Sequence, residues 1–325
     1  MRGPLGSARG SVRAEIMANG SRFPRFAWAF LAYLLLVILF GAWVRITHSG
    51  AGCGSHWPTC HGQIVPLSPS VETMIEYSHR LSSGLLGILG LVLLGWSIAR
   101  FGRRRVTLAA ALSMLFIVFE AVIGAGLVLK ELVADDDSVA RAIVISLHLV
   151  NTLLLTGSAA LAAWWSTDER PLSPRSLGVG TWLLAAGALA LVASCMTGAV
   201  TALGDTLFPV EVDAGGLLQR VQSELSPANH FLVRLRIIHP VVAVVAAGIV
   251  YGVAAWIRTH AKDERSPRLA KGLQHAVVTQ VVLGIVNIGL AAPGWMQLAH
   301  LLMAQAVWVM LLLTAVAAWA AARPD

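Results

Sequence analysis

Four histidines and a carboxylate carry the chemistry available to this sequence. Glu76 and His79 stand three apart in IEYSHR, so on a helix they share one face. His148, His239 and His300 recur at comparable places in later apolar runs. Two neutral imidazoles facing each other across an apolar bundle suit the axial positions of haem iron, which pairs His79 with His148 and His239 with His300. Zinc suits them less, because no cysteine or carboxylate set completes a tetrahedral site near either pair. A single membrane histidine often does no more than hydrogen-bond to a neighbouring helix, and that reading weakens only because four occur as two pairs. Glu76 is placed to move a proton or to steady positive charge at a reacting carbon. Its alternative is a helix-mouth carboxylate that offsets the positive end of the helix dipole. Glu120 could hydrogen-bond near a haem, relay protons or simply brace the fold.

The elements that must position these residues are membrane helices. The 325 residues are 57% hydrophobic and 13% charged, about half the charged fraction of soluble domains. Eight apolar runs, at 26–45, 80–99, 106–129, 141–165, 177–201, 232–256, 273–292 and 296–320, are each near the ~20 residues that cross about 30 Å of hydrocarbon. Backbone groups in lipid must bond within their own segment, so these runs are expected as helices of an all-α polytopic membrane protein. With both termini in the cytoplasm, 17 of the 24 Lys and Arg fall inside, and the acidic run Asp135–Asp137 falls outside. The net charge of +7 is thus a topology signal rather than a nucleic-acid footprint. Residues 1–25 read as a basic, disordered cytoplasmic tail. The run at 26–45 is long for a signal peptide and is followed by no A-x-A site. Both termini cytoplasmic, all four histidines come toward the extracytoplasmic side of a bacterial cytoplasmic (inner) membrane.

The chain also repeats itself. An offset of 160 lays His79 on His239, Trp96 on Trp256 and Gly124 on Gly284, and EAVIG from Glu120 lies over QVVLG from Gln280. With small loop differences, GAWV at 41 aligns with GAVT at 198 and His148 with His300. An even number of helices per unit makes the copies parallel repeats about an axis along the membrane normal. The expectation is two pseudo-symmetric four-helix bundles, residues 26–165 and 177–321, joined by a linker at 166–176. Glycines 84, 87 and 90 after His79, and Ala243, Ala246, Ala247 and Gly248 after His239, leave room for a macrocycle or simply allow close helix packing. Arg80, Arg234 and Arg236 stand at outer helix mouths, where they could bind haem propionates or only snorkel to the interface. Cys53 and Cys60 lie in the first outer loop, where an oxidising compartment favours a small disulfide ring; free thiols or a metal site are the alternatives. Cys195 reads as a core residue. His48, His56 and His61 flank the cysteines and could gate access.

The stretches GAWVRITHSGAGC, WPTCHGQIVP, IEYSHRLSSGL, LHLVNTLLL, GDTLFP, RLRIIHPVVAV and QLAHLLMAQAVW resemble those of the haem A synthases of the bacterial type with a cysteine pair in the first outer loop. The resemblance implies oxidation of the C8 methyl of haem O to a formyl group, giving haem A for terminal oxidases. It implies that His79 and His148 hold substrate or product haem, and that His239 and His300 hold a permanent haem b. Glu76 would be the family's acid beside the substrate haem, and Cys53 with Cys60 its loop disulfide. The second cysteine pair that some relatives carry between helices 5 and 6 is absent from the sequence.

Implied partners are haem O, haem O synthase, an oxidase assembly pathway, an electron-transfer partner of unknown identity and the lipid bilayer; nucleic acid is not among them, and a homo-oligomer is left open. Two rival readings are a non-catalytic di-haem electron carrier, which needs neither Glu76 nor the cysteine loop, and a haem transporter, which needs a path to the cytoplasmic side.

Overall fold

In the computed structural model, which describes residues 5–168, 170–210, 222, 224–261 and 264–321, the chain is helical and no strand occurs among the described residues. The long helices are α1 (Leu5–Ile46), α2 (Val71–Phe101), α3 (Arg105–Leu129), α4 (Val139–Trp165) and α5 (Val179–Leu207). A short α6 (Phe231–Leu235) leads into α7 (Ile238–His260), followed by α8 (Arg265–Gly289) and α9 (Gly294–Ala321). Eight spans are long and apolar enough to cross a membrane, the first from Arg22 and the sixth combining α6 and α7. The protein is a multi-pass membrane protein. Residues 1–4 of the expected tail, and residues 211–221 of the loop after α5, lie outside the described residues.

Three helices begin well before their apolar runs: α1 at Leu5 rather than 26, α2 and α8. α2 was expected from residue 80 and starts at Val71, because Ser70 caps it: the Ser70 hydroxyl accepts the Thr73 N–H at 3.2 Å. Its 31 residues are about 46 Å long, more than the hydrocarbon needs, so the first turns project beyond the membrane. α8 starts at Arg265 rather than 273, since its first two turns carry the charges of Arg265, Arg268 and Lys271 outside the apolar layer. Apolar periodicity finds the part of a helix that lies in lipid, not the part that leaves it.

α1 packs on α2 and α4, α2 on α3, and α3 on α4. α5 packs on α7 and α9, α7 on α8, and α8 on α9. The two sets meet along α4, which contacts α5 and α9, and where α1 contacts α9. One core gathers Phe23, Phe30, Leu34, Leu93 and Leu155; another gathers Val250, Ile257, Leu273 and Leu311. At the seam the Trp308 indole donates to the Leu153 carbonyl at 2.7 Å, and a Cβ on Gly157 would meet the Leu312 side chain at 2.6 Å and Trp308 at 3.1 Å. In lipid, where helices gain nothing from excluding water, such close approach and interhelical hydrogen bonds hold the sets together.

Asp168, in the 166–176 linker, joins the end of α4 to the start of α8. It accepts from Arg170 at 2.7 and 2.9 Å and from Arg265 at 3.1 Å. Hydrogen bonds from Arg170, with Arg265 beside them, hold its carboxyl below the usual carboxylate range. A depressed folded-state value stabilises above the ordinary carboxylate pKa and loses that contribution as pH falls through the folded value. Asp168→Asn is therefore expected to lower the Tm of the detergent-solubilised protein at pH 7 by the equivalent of about 1 kcal/mol or less, given the solvent screening of the Arg265 partner. The difference from wild type should shrink toward pH 3; thermal melts across pH check this. Gly157→Leu is expected to cost about 1–3 kcal/mol through overpacking at the seam, read as a lower Tm at every pH.

Candidate functional site

Glu76 sits on α2 just outside the deepest part of the apolar layer, and is 4% exposed. One carboxylate oxygen accepts the Cys53 N–H at 2.7 Å. The other accepts from Arg80, whose Nε lies at 3.1 Å and whose terminal nitrogen makes a second, closer contact. Arg80 also donates to the carbonyls of His56 and Thr59 at 2.7 and 2.6 Å. The loop between α1 and α2 is thus fastened to α2 through a buried ion pair. Cys53 and Cys60 form a disulfide within it, with Cα atoms 4.4 Å apart. Thr73 adds a hydrogen bond to the Gly52 carbonyl at 2.5 Å. Gly52 must be glycine, because a Cβ there would lie 2.4 Å from the Glu72 backbone carbonyl.

A cavity of about 1450 Å³ runs through both helix sets and is lined by His79, His148, His239 and His300 together with Glu76, Glu120 and Gln280. It exceeds the roughly 300–1,000 Å³ of a pocket for one drug-sized ligand. Glycines on neighbouring helices position three of the imidazoles. A Cβ on Gly41 would stand 3.1 Å from the His79 ring, one on Gly198 3.0 Å from His239, and one on Gly284 3.1 Å from His300. The aligned GAWV and GAVT motifs therefore share a packing job against a histidine. His148 is held differently. Its Nδ1 contacts the Glu120 carboxylate, whose other oxygen accepts the Thr152 hydroxyl at 2.8 Å.

These residues fit an iron porphyrin. The His239 and His300 rings stand 6.4 Å apart between centroids, near the roughly 6 Å left when two imidazoles each bond one metal at about 2 Å. The ring nitrogen Nδ1 of His79, His148 and His300 is buried and makes no hydrogen bond, His148 Nδ1 having only its ion-pair contact with Glu120, a costly state for a polar atom that a ligand in the cavity would account for. Among the described residues no three His, Cys, Asp or Glu side chains converge on a bare metal ion.

The arginines expected at the cavity mouth divide. Arg80 is engaged by Glu76 and the loop carbonyls. Arg236 is 7% exposed, paired with Asp205 at 2.9 Å and near Glu224 at 3.6 Å, and donates to the Gly204 carbonyl at 2.6 Å. Arg234 is exposed on α6. Two further arginines line the cavity that sequence reasoning passed over. Arg45 ends α1 and reaches Gln297 on α9 at 2.9 Å, with closer contacts to Ala202 and Thr206 on α5. Arg141 donates to the carbonyls of Ala134 and Asp136 at 2.7 and 2.6 Å. A charge inside a span is itself a signal, and both lie in spans. Cys195, expected in the core, faces the cavity wall as a free thiol.

An all-helical multi-pass membrane protein with paired histidines around one internal cavity is the class that this fold and site define. Residues 24–312 match the model of COX15-CtaA, described as cytochrome oxidase assembly protein. The chain belongs to that family, the haem A synthase family. It is 44% identical over 300 residues to a Thermus thermophilus protein named protoheme IX farnesyltransferase, a match covering 92% of this chain and 48% of that one. It is 43% identical over 102 residues to a heme A synthase of Exiguobacterium sibiricum, 31% of this chain and 34% of the relative. A heme A synthase of Halalkalibacterium halodurans is 45% identical over 96 residues, covering 29% and 32%. The chain thus spans about half the length of the Thermus relative, and about a third of the other two is matched.

Gly52→Ala is expected to force the cysteine loop off α2. Thiol trapping after mild reductant should then show Cys53 and Cys60 reduced several-fold faster than in wild type, with Cys195 labelling unchanged.

Proposed function

We propose that this chain oxidises the C8 methyl of haem O to a formyl group, yielding haem A for a terminal oxidase. The carrying observation is that two histidine pairs line one cavity in a member of this family. His79 and His148 hold the substrate or product haem in the N-terminal bundle (26–165), and His239 and His300 hold a resident haem b in the C-terminal bundle (177–321). The two bundles act as parallel repeats, with the histidines toward the extracytoplasmic side of the cytoplasmic (inner) membrane and both termini inside. Bound haem would supply the redox chemistry: the methyl carbon gives four electrons to an external acceptor and four protons to solvent as it takes one oxygen atom from water.

The protein's own residues do the rest. Glycines 41, 198 and 284 fix ring positions, and a largely apolar wall surrounds the space where the reacting carbon would lie. Glu76, facing the cavity with one oxygen on Cys53 N–H, holds negative charge where a proton must leave or positive charge develops. The disulfide loop keeps it there. Arg234, exposed at the outer end, and Arg45 and Arg141, within the cavity wall, are the cations that propionates would meet; Arg80 and Arg236 act as clamps first. Haem O synthase supplies the substrate.

Expression with haem O synthase, followed by haem extraction, should yield haem A. Haem B alone would instead support a di-haem electron carrier. Haem O made from haem B by this chain alone would assign it the transferase activity that names the Thermus relative. Glu76→Ala should keep haem O bound yet cut haem A by at least tenfold, and a normal haem A yield in that variant would remove Glu76 from the reaction. His148→Ala should lose the N-terminal haem and retain haem b.

A further inference from the structure

The four imidazoles are not held alike. His239 Nδ1 lies 3.2 Å from the Thr197 hydroxyl, and His300 Nε2 lies 3.2 Å from the Gln280 amide nitrogen; both partners are neutral. His148 Nδ1 instead contacts a carboxylate, Glu120, at the position where the second repeat has Gln280. Thr152 pins that carboxylate at 2.8 Å, and Thr152 aligns with Ala304, which has no hydroxyl. Gly284 packs against His300, whereas a Cβ on its counterpart Gly124 would meet nothing within 4 Å. Glu120 with Thr152 thus replaces, in the first half, the glycine contact that holds the ring in the second.

A carboxylate set against the remote nitrogen of a ligand imidazole makes it a stronger electron donor, and an outer partner of this kind tunes an iron centre. Stronger donation, and the negative charge itself, stabilise ferric over ferrous iron. Arg80 and Arg236 do not separate the halves in this respect, since each is already paired with a carboxylate. We propose that Glu120 is a positioning residue that acts through His148 to give iron in the N-terminal half a lower reduction potential than iron in the C-terminal half. The proposal rests on the haem ligation set out above.

The test is an optical redox titration of the full chain, extracted in detergent from cells making haem O and haem B. Wild type should show two couples. Glu120→Gln should shift the lower couple upward and leave the upper unmoved; Thr152→Ala should shift the lower couple the same way by less. Gln280→Glu should shift the upper couple downward, and it decides the matter if Glu120→Gln binds no N-terminal haem. A single couple in wild type, a lower couple indifferent to Glu120→Gln with haem bound, or an upper couple indifferent to Gln280→Glu would overturn the assignment. Absence of haem from both halves of the wild type would overturn the ligation reading and this inference with it, whereas two bound haems with unresponsive potentials overturn only the inference.

Discussion

Transfer of a polar or charged group into an apolar layer costs several kcal/mol unless it finds a partner there. The structure depends on how that demand is met. Glu76 is met by Arg80 and the Cys53 amide; Arg236 by Asp205 and the carbonyl that ends α5; Arg141 by carbonyls of the loop before α4. Each pairing satisfies a buried charge; those of Glu76 and Arg141 tie an outer loop to a helix, and that of Arg236 ties α5 to the junction of α6 and α7. The same requirement that makes these charges expensive therefore fixes the rim of the cavity, and the imidazole nitrogens left over point to a ligand between them.

Much of this was legible in the sequence, and the rest was hidden for identifiable reasons. Eight apolar runs gave the eight spans because hydrocarbon thickness dictates their length. The four histidines that line the cavity were visible because similar stretches of sequence repeat them, two of them with the Gly-Ala motif that packs against them. The early start of α2 was not visible, because Ser70 and Thr73 form a local cap outside the apolar run and hydropathy has no view of it. Arg80 and Arg236 stood out as anion-binding candidates by position alone. Arg80 is taken up by Glu76 one turn away on α2 and by the His56 and Thr59 carbonyls of a loop whose path the sequence does not specify; Arg236 is taken up by Asp205 on α5 and by Glu224. Arg45 was overlooked as a helix-end charge, although it reaches Gln297, 252 residues away. The Glu120–His148 contact joins α3 to α4 across 28 positions, and only helix packing brings it about.

The halves share an architecture of contacts but differ at their outer ends. The N-terminal half carries a long α2 and a disulfide loop in which Trp57, Pro58, Thr59 and Ile64 form part of the cavity wall. Trp57 and Ile64 are also substantially exposed to the outside. The corresponding loop of the second half, between α5 and α6, carries no cysteine. In the first half part of the cavity wall is thus loop, fastened to α2 at Glu76 and Arg80 and apolar at its edge.

The ion pair of Glu76 and Arg80 anchors that loop without depending on it. A carboxylate four residues before an arginine on one helix is held together by the helix, while the loop contributes only carbonyls and one amide. The carboxylate that faces the cavity is therefore positioned first by α2 and second by the loop, and its charge is compensated within the helix that carries His79.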